Sequence, residues 1–112
     1  MLEWLGDSLK VLRNMPEDVQ DVIGYGLDIA QQGGYPKDAK PLIGKGLQGV
    51  YEIKADHDGN AYRGVYVTKL AERIYVLHVF QKKSKQGIAT PKKDMDIIRA
   101  RLRMARELAK DE

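Results

Sequence analysis

Arginine and lysine side chains attract, hold and neutralise phosphate. This chain gathers them around one hairpin: Arg63 in the run Tyr62-Arg63-Gly64-Val65-Tyr66-Val67, and Lys82, Lys83 and Lys85 directly after Phe80. In an antiparallel pair the start of one strand lies beside the end of the next, which brings the Arg63 guanidinium toward those lysines. Like charges converging beside an aromatic ring repel one another. Either they point apart into water or they wait for phosphate, and sensitivity to salt separates the two.

Other chemistry-bearing residues have plainer explanations. His78 sits inside the apolar run Ile74-Tyr75-Val76-Leu77-His78-Val79-Phe80, where a satisfied core histidine is more economical than a proton-transfer role. His57 has Asp56 and Asp58 beside it, but the spacing matches no calcium loop, and Asp56-His57-Asp58-Gly59-Asn60 is explained by turn chemistry. Gly44-Lys45-Gly46-Leu47-Gln48-Gly49 lacks the terminal Gly-Lys-Ser/Thr of a phosphate loop and precedes a strand, so nucleotide binding is set aside. Tyr51, Tyr62, Tyr66 and Tyr75 alternate within strands and are packing residues first. Zero cysteines and two isolated histidines leave no basis for a disulfide framework or a catalytic metal centre, and no cofactor is expected.

The scaffold that holds these side chains is legible in outline. Leu2-Glu3-Trp4-Leu5 could form a short edge strand, and Asp7 or Ser8 can cap a helix carrying Leu9, Val11, Leu12 and Met15. Pro16 ends or bends it. A second helix carries Val19, Val22, Ile23, Gly26, Leu27 and Ala30, with Glu17, Asp18 and Asp21 at its positive end, and stops at Gly33-Gly34. Gly24 and Gly26 predict that it packs closely on a sheet. Residues 35–49, punctuated by Pro36, Pro41, Gly44, Gly46 and Gly49, are expected to be loop. Val50-Tyr51-Glu52-Ile53-Lys54-Ala55 and the Arg63 run are β-rich and joined by Asp58-Gly59, a strong hairpin signal. The His78 run, apolar on both faces, is predicted to be an interior strand, with Leu70-Ala71-Glu72-Arg73 as its turn. Thr90-Pro91 signals the start of a last helix. Its buried stripe is Met95, Ile98, Leu102, Ala105 and Ala109, and its charged stripe Arg99, Arg103, Arg106 and Lys110. The expected class is α+β: two N-terminal helices on a small antiparallel sheet of three to four strands, closed by a C-terminal helix.

With 112 residues, 43% hydrophobic and 31% charged, the chain has the composition of one globular domain spanning 1–112. No apolar run approaches a membrane span, and the opening Met1-Leu2-Glu3-Trp4-Leu5-Gly6-Asp7 lacks the features of a signal peptide, so a cytoplasmic protein is expected. Charge is polarised. Residues 1–60 hold 6 Lys/Arg against 10 Asp/Glu, whereas residues 61–112 hold 13 against 6. The basic half suits an anionic partner; the alternative is a solvated charged face.

Several blocks resemble a known family: Glu3-Trp4-Leu5-Gly6-Asp7-Ser8-Leu9-Lys10, Asp38-Ala39-Lys40-Pro41-Leu42, Gly49-Val50-Tyr51-Glu52-Ile53, Ala61-Tyr62-Arg63-Gly64-Val65-Tyr66, and above all Tyr75 to Ser84 followed by Thr90-Pro91. The family is the RelE/ParE superfamily of bacterial type II toxins, within it the HigB-like, phage-derived branch. The resemblance implies a RelE-like fold and a messenger RNA endoribonuclease, usually acting on the ribosome, that inhibits translation and is neutralised by a cognate helix-turn-helix antitoxin. Arg63 matches the arginine of the family's Tyr-Arg strand, and Phe80, Lys82 and Lys83 match its Phe-x-Lys-Lys segment. The last helix ends in Arg106-Glu107-Leu108-Ala109-Lys110-Asp111-Glu112, without the tyrosine or histidine that some relatives place there as proton donor or base.

Metal-free RNA cleavage requires the 2′-hydroxyl to be deprotonated, the phosphorane's charge balanced and the leaving 5′-oxygen protonated. On the resemblance, Arg63 balances charge, Lys82 or Lys83 moves the proton, Phe80 stacks on a base, and Lys85 with Lys54 holds backbone phosphate. An unshifted lysine is neutral only about 0.04% of the time at pH 7, but neighbouring cations lower its pKa. ParE-like members of the superfamily poison DNA gyrase by protein contact, and for them the basic cluster would be an interaction surface. A nucleic-acid-binding protein without catalysis is the further alternative.

Overall fold

The computed structural model describes residues 2–82 and 89–110. Along the chain run β1 (Leu2–Trp4), α1 (Ser8–Arg13), α2 (Glu17–Gln31), β2 (Ala39–Pro41), β3 (Val50–His57), β4 (Asn60–Leu70), β5 (Arg73–Lys82) and α3 (Lys92–Lys110). The β3–β4 hairpin closes where its sequence predicts. His57 pairs with Asn60, and the intervening Asp58 and Gly59 take φ of 49° and 78°, the left-handed pair that a tight two-residue turn needs. The β4–β5 turn is built the same way from less suitable residues, Ala71 and Glu72, at φ 51° and 60°.

The strands form one five-stranded mixed sheet in the order β1-β5-β4-β3-β2. Three to four antiparallel strands were expected; the edge strand suggested by Leu2–Leu5 forms as β1, though parallel, and the strand that the sequence did not suggest is β2. Residues 39–41 lie in the segment expected to be loop, yet Ala39, Lys40 and Pro41 pair with Ile53, Glu52 and Tyr51. Proline is tolerated there because an edge strand can turn its missing donor away from the ladder. At the other edge β1 runs parallel to β5, Leu2 opposite Ile74 and Trp4 opposite Val76, as the long intervening connection permits.

Both faces of the sheet are covered, and β5 is interior, as its apolar run predicts. On one face α2 places Val19, Ile23, Leu27 and Ala30 against Ile53, Ala55, Tyr62, Tyr66, Val76 and Val79. A Cβ on Gly26 would lie 2.9 Å from Ile53 Cδ1, so this glycine sets the helix–sheet approach; Gly24 faces open space and plays no such part. On the other face α3 buries Ile98, Leu102 and Ala105 against Leu5, Val50, Val65, Val67, Tyr75 and Leu77, with Met95 and Ala109 packed alongside. The charged stripe divides. Arg103 and Lys110 are exposed, whereas Arg99 Nη1 donates to the Lys45 carbonyl (2.7 Å) and Arg106 Nη2 to that of Gly46 (3.0 Å), pinning the glycine loop.

Neither expected hydroxyl or carboxylate cap forms. Asp7 occupies the N-cap position of α1 without a capping bond, because its carboxylate accepts from Arg101 Nη2 at 2.9 Å; the Ser8 hydroxyl donates to the Leu5 carbonyl at 2.7 Å. Thr90 likewise sends its hydroxyl to Glu52, at 3.1 Å. Among the described residues no helix is long and apolar enough to cross a membrane.

Candidate functional site

Strand alternation decides which side chains share a surface. Val50, Val65 and Val67 face α3, so by the period of two Glu52, Lys54, Asp56 and Arg63 lie on that same face. Pairing brings them into one patch: Lys54 and Phe80 flank Arg63, Lys40 lies opposite Glu52, and Lys82 lies opposite Ala61. The face that packs apolar residues under α3 thus carries charge beside the start of that helix.

Arg63 is only 7% exposed and Glu52 only 3%. Arg63 Nη1 donates to the Tyr62 carbonyl at 2.8 Å and lies 3.4 Å from Asp56 Oδ1. Its Nε is 3.5 Å from Glu52 Oε1, is buried, and makes no hydrogen bond among the described residues. The other Glu52 oxygen accepts the Thr90 hydroxyl. Lys82 is half-buried, and partial burial pushes its ammonium pKa down, aided by the Arg63 guanidinium and by Lys40 and Lys54, while Glu52 works in the opposite direction. A guanidinium thus shares this patch with a lysine that gives up its proton more readily than usual. That combination can hold a phosphate and accept a proton beside it.

Of the six expected site residues, the structure brings Arg63, Lys54 and Lys82 together. Lys54 is exposed, free to reach a ligand. Phe80 is 6% exposed and, instead of presenting its ring to a base, stacks on His78 at 4.9 Å between centroids. Lys83 and Lys85 lie outside the described residues.

Sequence reasoning missed the carboxylates. Glu52 follows Val50 at a spacing of two, but it also alternates with Lys54 on the polar side of the run, so no local signal marked it as buried. It also missed a second network. His78 Nε2 lies 2.8 Å from Asp94 Oδ1; Arg101 Nη1 donates to the Leu77 carbonyl at 3.0 Å and approaches His78 Nδ1 at 3.5 Å. Asp94 and Arg101 are seven residues apart on α3, two helical turns along one face beside Ile98, and that spacing was visible. Arg101 Nη2 continues the chain to Asp7, whose carboxyl it holds below the usual aspartate value. Both ring nitrogens of His78 are engaged and the residue is 7% exposed, so it ties β5 to α3 as a structural histidine. His57, at the hairpin tip, lies 3.3 Å from both Asp18 and Asp58.

Comparison with family models matches residues 10–103 to the family described as "Phage derived protein Gp49-like (DUF891)". That span includes Glu52, Asp56, Arg63, Lys82 and Thr90. No curated protein matches the chain. The family match agrees with the RelE/ParE superfamily without singling out the HigB-like branch. The chain belongs to the Gp49-like family of phage-derived proteins, a RelE/ParE-like toxin family.

Proposed function

We propose that residues 1–112 form a single toxin unit of the HigB-like branch: a metal-independent messenger RNA endoribonuclease acting on the ribosome in the cytoplasm, and neutralised by a helix-turn-helix antitoxin. The observation that carries this reading is the patch around Arg63, where Lys82, Lys54 and Lys40 share one sheet face with a guanidinium whose Nε makes no hydrogen bond among the described residues.

In this reading Lys82, its pKa already lowered, accepts the proton of the 2′-hydroxyl as that oxygen attacks the adjacent phosphorus. Arg63 balances the charge of the pentavalent phosphorane. The P–O5′ bond breaks, the departing oxygen takes a proton from water, and a 2′,3′-cyclic phosphate and a 5′-hydroxyl result. Lys54 and Lys85 hold flanking phosphates. Phe80 packs its ring against His78 and is 6% exposed, so in this reading it flanks Arg63 and does not serve as a stacking platform for a base.

The test is inducible expression in bacteria with pulse labelling, together with 5′-end mapping on a translated message. Translation is expected to stop first, and Arg63→Ala to lose roughly 10²-fold or more in cleavage while binding falls far less. Arrest by folded Arg63→Ala and Lys82→Ala/Lys83→Ala variants at the parent's rate would overturn the nuclease. Replication stopping first would point to gyrase.

A further inference from the structure

Arg63 is flanked by two carboxylates of opposite character. Glu52 is buried and anchored: its side chain is 4% exposed, and Oε2 is tied to Thr90 while Oε1 faces Arg63 Nε. Asp56, the next-to-last residue of β3, has a side chain 58% exposed and meets Arg63 only at Nη1. A guanidinium offers five donors in a planar fork, and carboxylate and phosphate oxygens compete for them in the same geometry. Were both carboxylates fixed, they would hold the guanidinium donors that a phosphate needs. Were neither present, Lys82, Lys54 and Lys40 would push the guanidinium away from the patch.

We propose that Glu52 is a positioning residue that keeps Arg63 over the sheet, and that Asp56 is a place-holder which an RNA phosphate displaces from the guanidinium. This rests on the phosphate-binding reading of the site and adds how the site is kept closed in the free protein. Rotating an exposed aspartate into water costs little, whereas withdrawing Glu52 would strand a buried charge. The two residues therefore respond to neutralisation in opposite directions.

The experiment measures binding of a short single-stranded RNA, 2′-O-methylated so that it is not cleaved, by fluorescence anisotropy at fixed low salt. Asp56→Asn is compared with Asp58→Asn, which removes the same charge two residues away from a side chain 85% exposed. Asp56→Asn is expected to tighten binding by about three- to fivefold beyond Asp58→Asn, and the excess is expected to vanish in an Arg63→Gln background. Equal effects of the two substitutions would overturn the place-holder.

Glu52→Gln is expected to weaken binding severalfold although it too removes a negative charge, and Thr90→Val, which frees Oε2 alone, to weaken it in the same direction. Glu52→Gln is also expected to move the Lys82 ammonium titration, followed by NMR, to lower pH. Glu52 is the carboxylate that holds Lys82 up against Arg63, Lys40 and Lys54. Unchanged or tighter binding in both Glu52→Gln and Thr90→Val would overturn the positioning role. Absence of RNA binding by the parent would overturn this proposal and the nuclease together, whereas the expected binding pattern without growth arrest would overturn the nuclease alone.

Discussion

Burial moves individual side chains in this protein by amounts that titration can read. The Tyr66 phenol, stacked on Tyr51 and 1% exposed, is pushed up to about 12 by loss of solvent and then by Tyr51 and Tyr35. Between its ordinary value of 10.0 and about 12, the unfolded chain has lost a proton that the folded protein keeps. Stability therefore falls as pH rises through that window. Tyr66→Phe is expected to flatten the fall, measured as urea midpoints across the same range; an unchanged slope would contradict the assignment. Lys82 is shifted the other way, so its charged form is disfavoured in the folded state and stability rises as pH climbs from its lowered pKa to the ordinary lysine value. Lys82→Gln is expected to raise the melting temperature slightly at neutral pH and, in the proposed nuclease reading, to remove the pH dependence of cleavage. At this level the sequence reveals that Arg63 meets Lys82, because hairpin geometry puts them on neighbouring strands. It conceals Glu52, because a charge inside an alternating run reads equally well as an outward-facing residue.

The third helix shows how far periodicity carries. Leu102 is 3% exposed in the middle of the stripe that its spacing defines, so Leu102→Ala is expected to cost about 2 to 5 kcal/mol. Arg103→Ala, on the exposed side, is expected to cost less than about 0.5 kcal/mol. Equal urea midpoints would show that the faces are misassigned. The β4–β5 turn is less well matched to its sequence. Ala71 and Glu72 hold the left-handed conformation without the asparagine and glycine that suit it, and Lys69 nearby is also left-handed at φ 63°. Replacing Ala71-Glu72 with Asn-Gly is expected to stabilise the protein by about 1 kcal/mol, read by thermal melting. No gain would mean that the turn's contacts outweigh its backbone strain.

For the molecule as a whole, the separation of charge along the chain predicts how it meets its partners. The acidic half forms β1, α1, α2, β2 and β3, while the basic half supplies most of β4, all of β5 and α3, so the patch around Arg63 draws Lys40 and Lys54 from one half and Arg63 and Lys82 from the other. In the proposed reading, RNA binding by the free protein is expected to weaken steeply with salt. If an antitoxin covers this patch with acidic residues, the complex is expected to lose both the affinity and the salt dependence. Equal RNA affinity with and without antitoxin would place the antitoxin elsewhere on the surface.

Some features follow from local rules and were readable before any fold was known. The Asp58-Gly59 turn, the apolar interior strand around His78, the two helical stripes of α3 and the neighbourhood of Arg63 and Lys82 all depend on spacing within a few residues or across one hairpin. Others depend on contacts between distant segments. The parallel pairing of Leu2–Trp4 with β5, the recruitment of Ala39–Pro41 as an edge strand, the tie from Asp7 through Arg101 to His78 and Asp94, and the bond from Thr90 to Glu52 each join parts of the chain that no local pattern connects. Phe80 illustrates the division: its place on the strand is written in the alternation of β5, but whether its ring faces RNA or a buried histidine is settled by what the rest of the chain packs over it.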